Sequence, residues 1–276
     1  MQVQTIPPIG AKWHLLAFNS TNAATAGYQQ ANAVPDPVFS RSANAYQNPY
    51  NLGAFGAYAQ STNILRARLN TASLRLRGFP IIRPVVSGTQ PPTDANWCDF
   101  VNFPMYLRPD EDIQMDIDSG ANADITTGFL WVYYAGGESP PIVNANINAL
   151  DLRWIRATVT YTSTLNTWSG PQTITLDDNI EGGSYDVYGA ECFGTNVQAF
   201  RLWFQNQYWK PGTLGYAAVG SRLPYPWYTG RFGLWGNFNT YSLPQLETFE
   251  SAAASTLKTL NLLIGKSSQQ FRGMSN

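Results

Sequence analysis

One histidine, two cysteines and six glutamates are the side chains from which this 276-residue chain could build acid–base, nucleophilic or zinc chemistry. His14 lies between Trp13 and Leu15 in an alternating apolar stretch, so it reads as a core or interface residue. A Ser–His–Asp or Cys–His arrangement would have to use it, with Cys98 or an unspecified serine far away in sequence. No Gly-x-Ser-x-Gly elbow, Walker loop or Gly-x-Gly-x-x-Gly fingerprint accompanies it. Cys98 and Cys192 stand 94 residues apart, too sparse for zinc or a disulfide framework, and read as buried small hydrophobes suited to a reducing compartment. Glycoside hydrolysis needs only two carboxylates. Glu111, Glu181 and Glu191 flank predicted strands, yet nothing marks a pair. The chain is therefore expected not to be an enzyme, with no catalytic, cofactor or metal residue assigned.

Two charged stretches invite binding instead. Asp116, Asp118, Asn122 and Asp124 alternate around Gly120 as oxygen donors do in calcium loops. The EF-hand pattern fails, because Gly120 comes one position early and Thr127 stands where the bidentate glutamate belongs; a solvated turn explains the residues equally well. Arg66, Arg68, Arg75 and Arg77 alternate with apolar residues in Leu65–Leu69 and Leu74–Arg77. Each strand thus has one basic face that could meet lipid headgroups, genome phosphates or a neighbouring subunit. The favoured reading pairs them with the acidic strand Asp110–Asp118 of the same sheet. Trp209, Tyr225, Trp227, Tyr228, Phe232 and Trp235 crowd a Gly- and Pro-rich stretch. Sugar-binding sandwiches expose such rings, but in a fold of short strands they more often fill the core.

Composition says what must hold these residues. Charged residues make up 13% of the chain and aromatics 14%, where a soluble domain averages roughly 25% charged. Aromatic and β-branched side chains suit a pleated surface, and 23 Gly with 18 Pro supply turns. Period-two alternation gives about a dozen strands, among them 64–69, 112–117, 125–134, 152–161, 184–190 and 197–204, without βαβ alternation. Ser20–Ala59 reads as a long excursion whose Tyr28, Phe39, Tyr46, Tyr50 and Phe55 need partners, supplied by neighbouring subunits. Gly136–Ala149 is the expected boundary between a first domain, 1–140, and a second, 141–243. Shifting the chain by 72 residues superposes Ile113 on Tyr185 and Trp131 on Trp203, a weak internal repeat. Residues 244–265 read as an amphipathic helix: Ser242 caps it, Pro244 opens it, and Leu246, Phe249, Ala253, Leu257, Leu260 and Ile264 form its apolar stripe. A mobile polar tail, 266–276, is expected after it.

Net charge is −1, and Met1–Gly10 holds no Lys or Arg. A basic arm for condensing a genome, a secretory signal and a membrane span are therefore not expected.

Gly182–Ala190, Ala199-Phe-Arg-Leu-Trp203, Lys210-Pro-Gly212, Gly230–Phe238 and Pro244–Glu250 are turn and strand patterns spread over about a quarter of the chain. In them the second half resembles the latter jelly roll of major capsid proteins of the double jelly-roll lineage of tailless icosahedral phages. The resemblance implies an all-β protein of two antiparallel jelly-roll sandwiches, with the C-terminal helix added. It also implies a coat subunit made in the host cytoplasm, working in the virion as a homotrimer beside neighbouring capsomers, other virion proteins and an internal membrane. No sequence-specific nucleic-acid contact and no cofactor carry over. The alternative is a carbohydrate- or receptor-binding β-sandwich, a viral spike or a lectin-like module.

Overall fold

The computed structural model describes residues 13–21, 27–61, 63–72, 97–99, 105–135, 152–205, 207–216 and 234–267. They fall into two compact units, one of residues 13–135 with Asn166–Trp168, the other of 152–165 and 169–267. Strands are the regular structure throughout, in several antiparallel sheets. The expected domain boundary at Gly136–Ala149 and the expected tail beyond Ser267 lie outside the described residues, while Lys266, the first residue of that tail, closes the last strand.

The first unit contains β1 (Trp13–Thr21), β2 (Gln29–Gln30), β3 (Asn32–Ala33), β4 (Tyr46–Asn48), β5 (Leu52–Gln60) and β6 (Ile64–Leu69). It continues with β7 (Trp97–Asp99), β8 (Met105–Leu107), β9 (Glu111–Ile113), β10 (Met115–Ser119) and β11 (Ile125–Tyr134). One sheet runs β3-β1-β11-β5-β7, with β8 also on β5; a second runs β2-β10-β6, and β4 pairs β9. In the first sheet β1, β5 and β11 are apolar almost residue by residue and buried on both faces, as strands covered on both sides must be. Gly128 on β11 allows the close approach of the second sheet: a Cβ there would lie 2.2 Å from Met115 Sδ of β10.

The described residues of the excursion at Ser20–Ala59 are structured within this unit. Phe39, Tyr46 and Phe55 are buried. The Tyr46 ring meets Phe18 edge-on, and its hydroxyl lies 2.6 Å from both the Ala17 and Val34 carbonyls. Tyr50 packs edge-on against Phe39 and Tyr134. These rings need no neighbouring subunit, which corrects the sequence expectation. β2, β3 and β4, of two or three residues, are too short to show a period, and the nine-residue β5 is buried at every position and so shows no alternation either.

The second unit contains β12 (Arg153–Thr162), β13 (Gln172–Thr173), β14 (Thr175–Leu176), β15 (Ser184–Phe193) and β16 (Val197–Trp203). It ends with β17 (Gly212–Leu214), β18 (Gly236–Asn239), β19 (Gln245–Glu250) and β20 (Ser255–Lys266). Its sheets run β14-β12-β20-β15-β18 and β13-β19-β16-β17. In both units the opening strand lies beside the closing one, and the closing strand lies beside a middle strand.

The expected helix at 244–265 is instead the hairpin β19–β20. Ser242 bridges Asn239 rather than capping a helix. Lys258, Leu260, Leu262 and Ile264 are fully buried, alternating with more exposed neighbours, and β20 pairs β12 over its length. Spacings of four fit a strand face as well as a helix face, so Leu260 and Ile264 could not decide. Leu257 does: a helix puts it with Leu260, a strand opposite, and it is 54% exposed. Pairing with two neighbouring strands outweighs a local helical preference.

The repeat by 72 residues is also corrected. It aligns Trp131 of β11, a closing strand, with Trp203 of β16, an inner strand of the other sheet. By sheet order β11 corresponds to β20.

Candidate functional site

The Arg–Asp alternation read from sequence becomes a cross-strand ladder. Register places Asp116 opposite Arg68 and Asp118 opposite Arg66 on β10 and β6. Each Arg Nε donates to its partner's Oδ2 at 2.8 Å. The guanidinium carbons lie 4.5 Å (Arg66) and 4.0 Å (Arg68) from the Tyr28 ring centroid, adding cation–π attraction. The hydrogen bond to Asp118, with the nearby Tyr28, raises the Arg66 pKa. Asp116 and Asp118 are buried, while the arginine side chains stay about half exposed. Arg75 and Arg77 lie outside the described residues.

The same ladder takes up the calcium candidates. Asp116 and Asp118 are engaged by arginine, and the second oxygen of Asp118 accepts the Gly27 N–H at 3.1 Å. Asp124 accepts from the Ser119 hydroxyl and from the Asn63 N–H. Asn122 is exposed on a turn where Ala123 takes φ 57°. The structure therefore does not gather Asp116, Asp118, Asn122 and Asp124 as ligands, and among the described residues no group of three or more His, Cys, Asp or Glu is gathered.

His14 sits on β1 with Nε2 3.0 Å from Asp36 Oδ2, both side chains fully buried. The other Asp36 oxygen accepts the Val38 and Phe39 N–H groups, and Phe39 packs on the imidazole. This pair braces the excursion against the sheet; sequence reasoning found His14 and missed Asp36. Cys192 is buried in the second unit, where burial and then Glu250 push its thiol pKa up. Nothing is described of the Cys98 side chain. Glu111 accepts the Arg108 N–H, Glu191 accepts from the Asn261 amide, and Glu181 pairs with Lys266. Trp209 and Trp235 are buried, and Trp235 stacks on Phe200. Tyr225, Trp227, Tyr228 and Phe232 lie outside the described residues.

The other charges that sequence reasoning missed are inside the second unit. Glu247 accepts from both Arg201 and Lys210, all three buried. Glu250 Oε1 lies 3.1 Å from Lys258 Nζ, with both side chains fully buried. Lys258 also donates to the Thr256 carbonyl and hydroxyl and lies 4.8 Å from the Tyr161 ring centroid. Thr248 donates to Glu250 at 2.6 Å and meets the Tyr161 hydroxyl, whose pKa burial pushes up. Buried charge survives only when paired and hydrogen-bonded. A visible signal was Arg201 inside the apolar run Ala199-Phe-Arg-Leu-Trp203, which demands a carboxylate on a neighbouring strand.

No protein-family model matches the chain, and no curated protein matches it. Among solved structures, the major capsid protein P2 from bacteriophage PM2 is similar over 93% of this chain and 98% of that one, at 11% identity and a TM-score of 0.21. Those values fall short of a common fold.

Proposed function

We propose that the chain is a structural coat subunit of an icosahedral virion, built as two tandem jelly rolls and assembling as a homotrimer. The carrying observation is one strand order occurring twice. An eight-stranded jelly roll, two Greek keys in two sheets, runs first-eighth-third-sixth in one sheet and second-seventh-fourth-fifth in the other. The second unit follows this with β12-β20-β15-β18 and β13-β19-β16-β17, β14 being an added edge. The first unit follows it with β1-β11-β5-β7 and β2-β10-β6. Of the second sheet of this unit the described residues supply three of the four places in that order.

A fold alone does not define a function. Two further features support the coat reading: the capsid-like motifs of the second half, and an aromatic-rich chain of low charge, as interfaces favour. Two similar units per subunit give a trimer a pseudo-hexagonal outline, which tiles a shell through repeated contacts. On this reading the protein is a non-enzymatic virion component, contacting neighbouring capsomers, other virion proteins and an internal membrane. Burial of Trp209 and Trp235 removes two rings from the sugar-binding alternative.

Sedimentation velocity and negative-stain microscopy of the purified chain test the proposal. Trimers at micromolar concentration, closing into shells or hexagonal arrays, are expected. A stable monomer that forms neither would overturn it.

A further inference from the structure

We propose that the second unit carries a binding site for a carboxylate on an apolar body, at the end of its five-stranded sheet. This goes beyond the coat reading and does not depend on it. A cleft of about 500 Å³ opens there, lined by Arg153, Asn179, Ile180, Glu181, Tyr185, Ile264, Gly265 and Lys266. Register explains the convergence. Arg153 stands opposite Ile264, and Tyr185 opposite Lys266. Directly opposed residues share a sheet face, as do residues two apart on one strand. The four side chains therefore rise from one face, that of the core residues Leu260 and Leu262. The other wall is the segment carrying Asn179, Ile180 and Glu181, tied down by the Tyr185 hydroxyl, which donates to the Glu181 carbonyl at 3.0 Å.

The chemistry is that of a small-ligand pocket, an apolar floor with a few convergent polar groups. Ile180 and the methylene stems of Arg153 and Lys266 give the accessible apolar contact, with Ile264 and the Tyr185 ring buried in the core beside them. Arg153 lies 6.0 Å over the Tyr185 ring and acts on the Glu181 carboxylate only through its charge, Lys266 being the cation bonded to that group. Lys266 pairs with Glu181, but both side chains are about 70% exposed, 68% and 76%, so the pair is weak and readily exchanged. Two cations against one carboxylate leave a single positive charge, which matches a monoanion. A guanidinium takes a carboxylate through two parallel hydrogen bonds, and Lys266 can exchange Glu181 for the same group. Glu181 is thus a built-in competitor for the ligand.

Calorimetric titration of the full chain at neutral pH tests this with octanoate, octanamide and an acetylated dipeptide ending in leucine with a free carboxylate. Octanoate or the peptide should bind, and octanamide should not. The tighter of the two shows whether the source is a free organic acid or a chain terminus. Arg153→Gln should weaken binding about tenfold or more, and Glu181→Gln should strengthen it severalfold. Neither exposed substitution should move the melting temperature, which separates loss of the site from loss of the fold. Equal binding of octanoate and octanamide would overturn the proposal. So would no binding of either carboxylate at millimolar concentration, or affinities that both variants leave unchanged.

Discussion

β11 and β20 hold the same place in their sheets, each between the opening strand and a middle strand of its unit, yet they are buried in opposite styles. β11 is covered on both faces from Thr126 to Tyr133. β20 buries one face, with Lys258, Leu260, Leu262 and Ile264 inward, and leaves Leu257 outward. Topology fixes who pairs with whom but not how many faces are covered. Where both faces are covered, a strand is an apolar run, as β11 is from Phe129 on, or keeps its charges paired, as β16 and β19 do with Arg201, Glu247 and Glu250. Where one is covered, polar and apolar residues alternate, and an inward position can hold even a lysine if a carboxylate meets it. The first unit places its Arg–Asp pairs at the surface, whereas the second buries Glu250–Lys258 and Arg201–Glu247–Lys210.

That contrast is tested most severely at Lys258. Lys258→Met removes the charge facing Glu250 and leaves a carboxylate whose Oε2 already lacks a hydrogen-bond partner among the described residues. A loss of about 3–5 kcal/mol in urea unfolding is expected. The double variant Lys258→Met/Glu250→Leu should recover most of it, since an apolar pair of similar volume replaces the ions without desolvation. If both variants cost under about 1 kcal/mol, the pair is solvated and the contrast between the units fails.

β11 is tested at Gly128. A larger side chain there must displace Met115, itself fully buried on β10. Gly128→Val should cost about 1–3 kcal/mol by overpacking. Met115→Ala introduced with it should restore part of that loss, visible as a higher melting temperature than the single variant. No recovery would mean that the sheets do not meet there.

How much of this could be read beforehand follows the same division. β11 was legible to the residue, because Phe129-Leu-Trp-Val-Tyr-Tyr134 is apolar without interruption. The ladder of Arg66 and Arg68 with Asp116 and Asp118 was legible because two alternating charge patterns of opposite sign have one economical arrangement. β20 was read as helix because its inward residues are spaced by even numbers that include four. His14 was recognised as a core residue, but Asp36, 22 residues on, carries no local sign of the pairing. Glu247 and Glu250 fall in the first half of the expected helix at 244–265, where negative charge suits the macrodipole, and only the strand pairing shows what they face. Long-range partners are what a single sequence hides.

The exposed ladder should respond far less than the buried pairs. Arg68→Ala removes a half-exposed guanidinium from Asp116 and from the Tyr28 face. The expected loss is about 0.5–1 kcal/mol, shrinking as salt rises through screening. Urea titrations at low and high ionic strength read this directly. A salt-independent loss as large as that at Lys258 would make the two units alike in how they use charge.

The smallest effect is expected at Leu257, and it decides between strand and helix. Leu257→Asp places a carboxylate on the outward face of β20, where the leucine is already 54% exposed. Its cost should stay within about 0.5 kcal/mol, as for surface positions generally. Leu260→Asp, three residues on, puts the same charge into the closed core with no partner and should abolish cooperative unfolding. On a helix these two residues would share a stripe and the two variants would fail together. On a strand they point to opposite faces, and only one fails. Thermal unfolding of the pair therefore reads the geometry of the closing strand without a new structure. A Leu257→Asp protein as damaged as the Leu260→Asp protein would show that the outward face of β20 is covered after all, making β20 a doubly buried strand like β11.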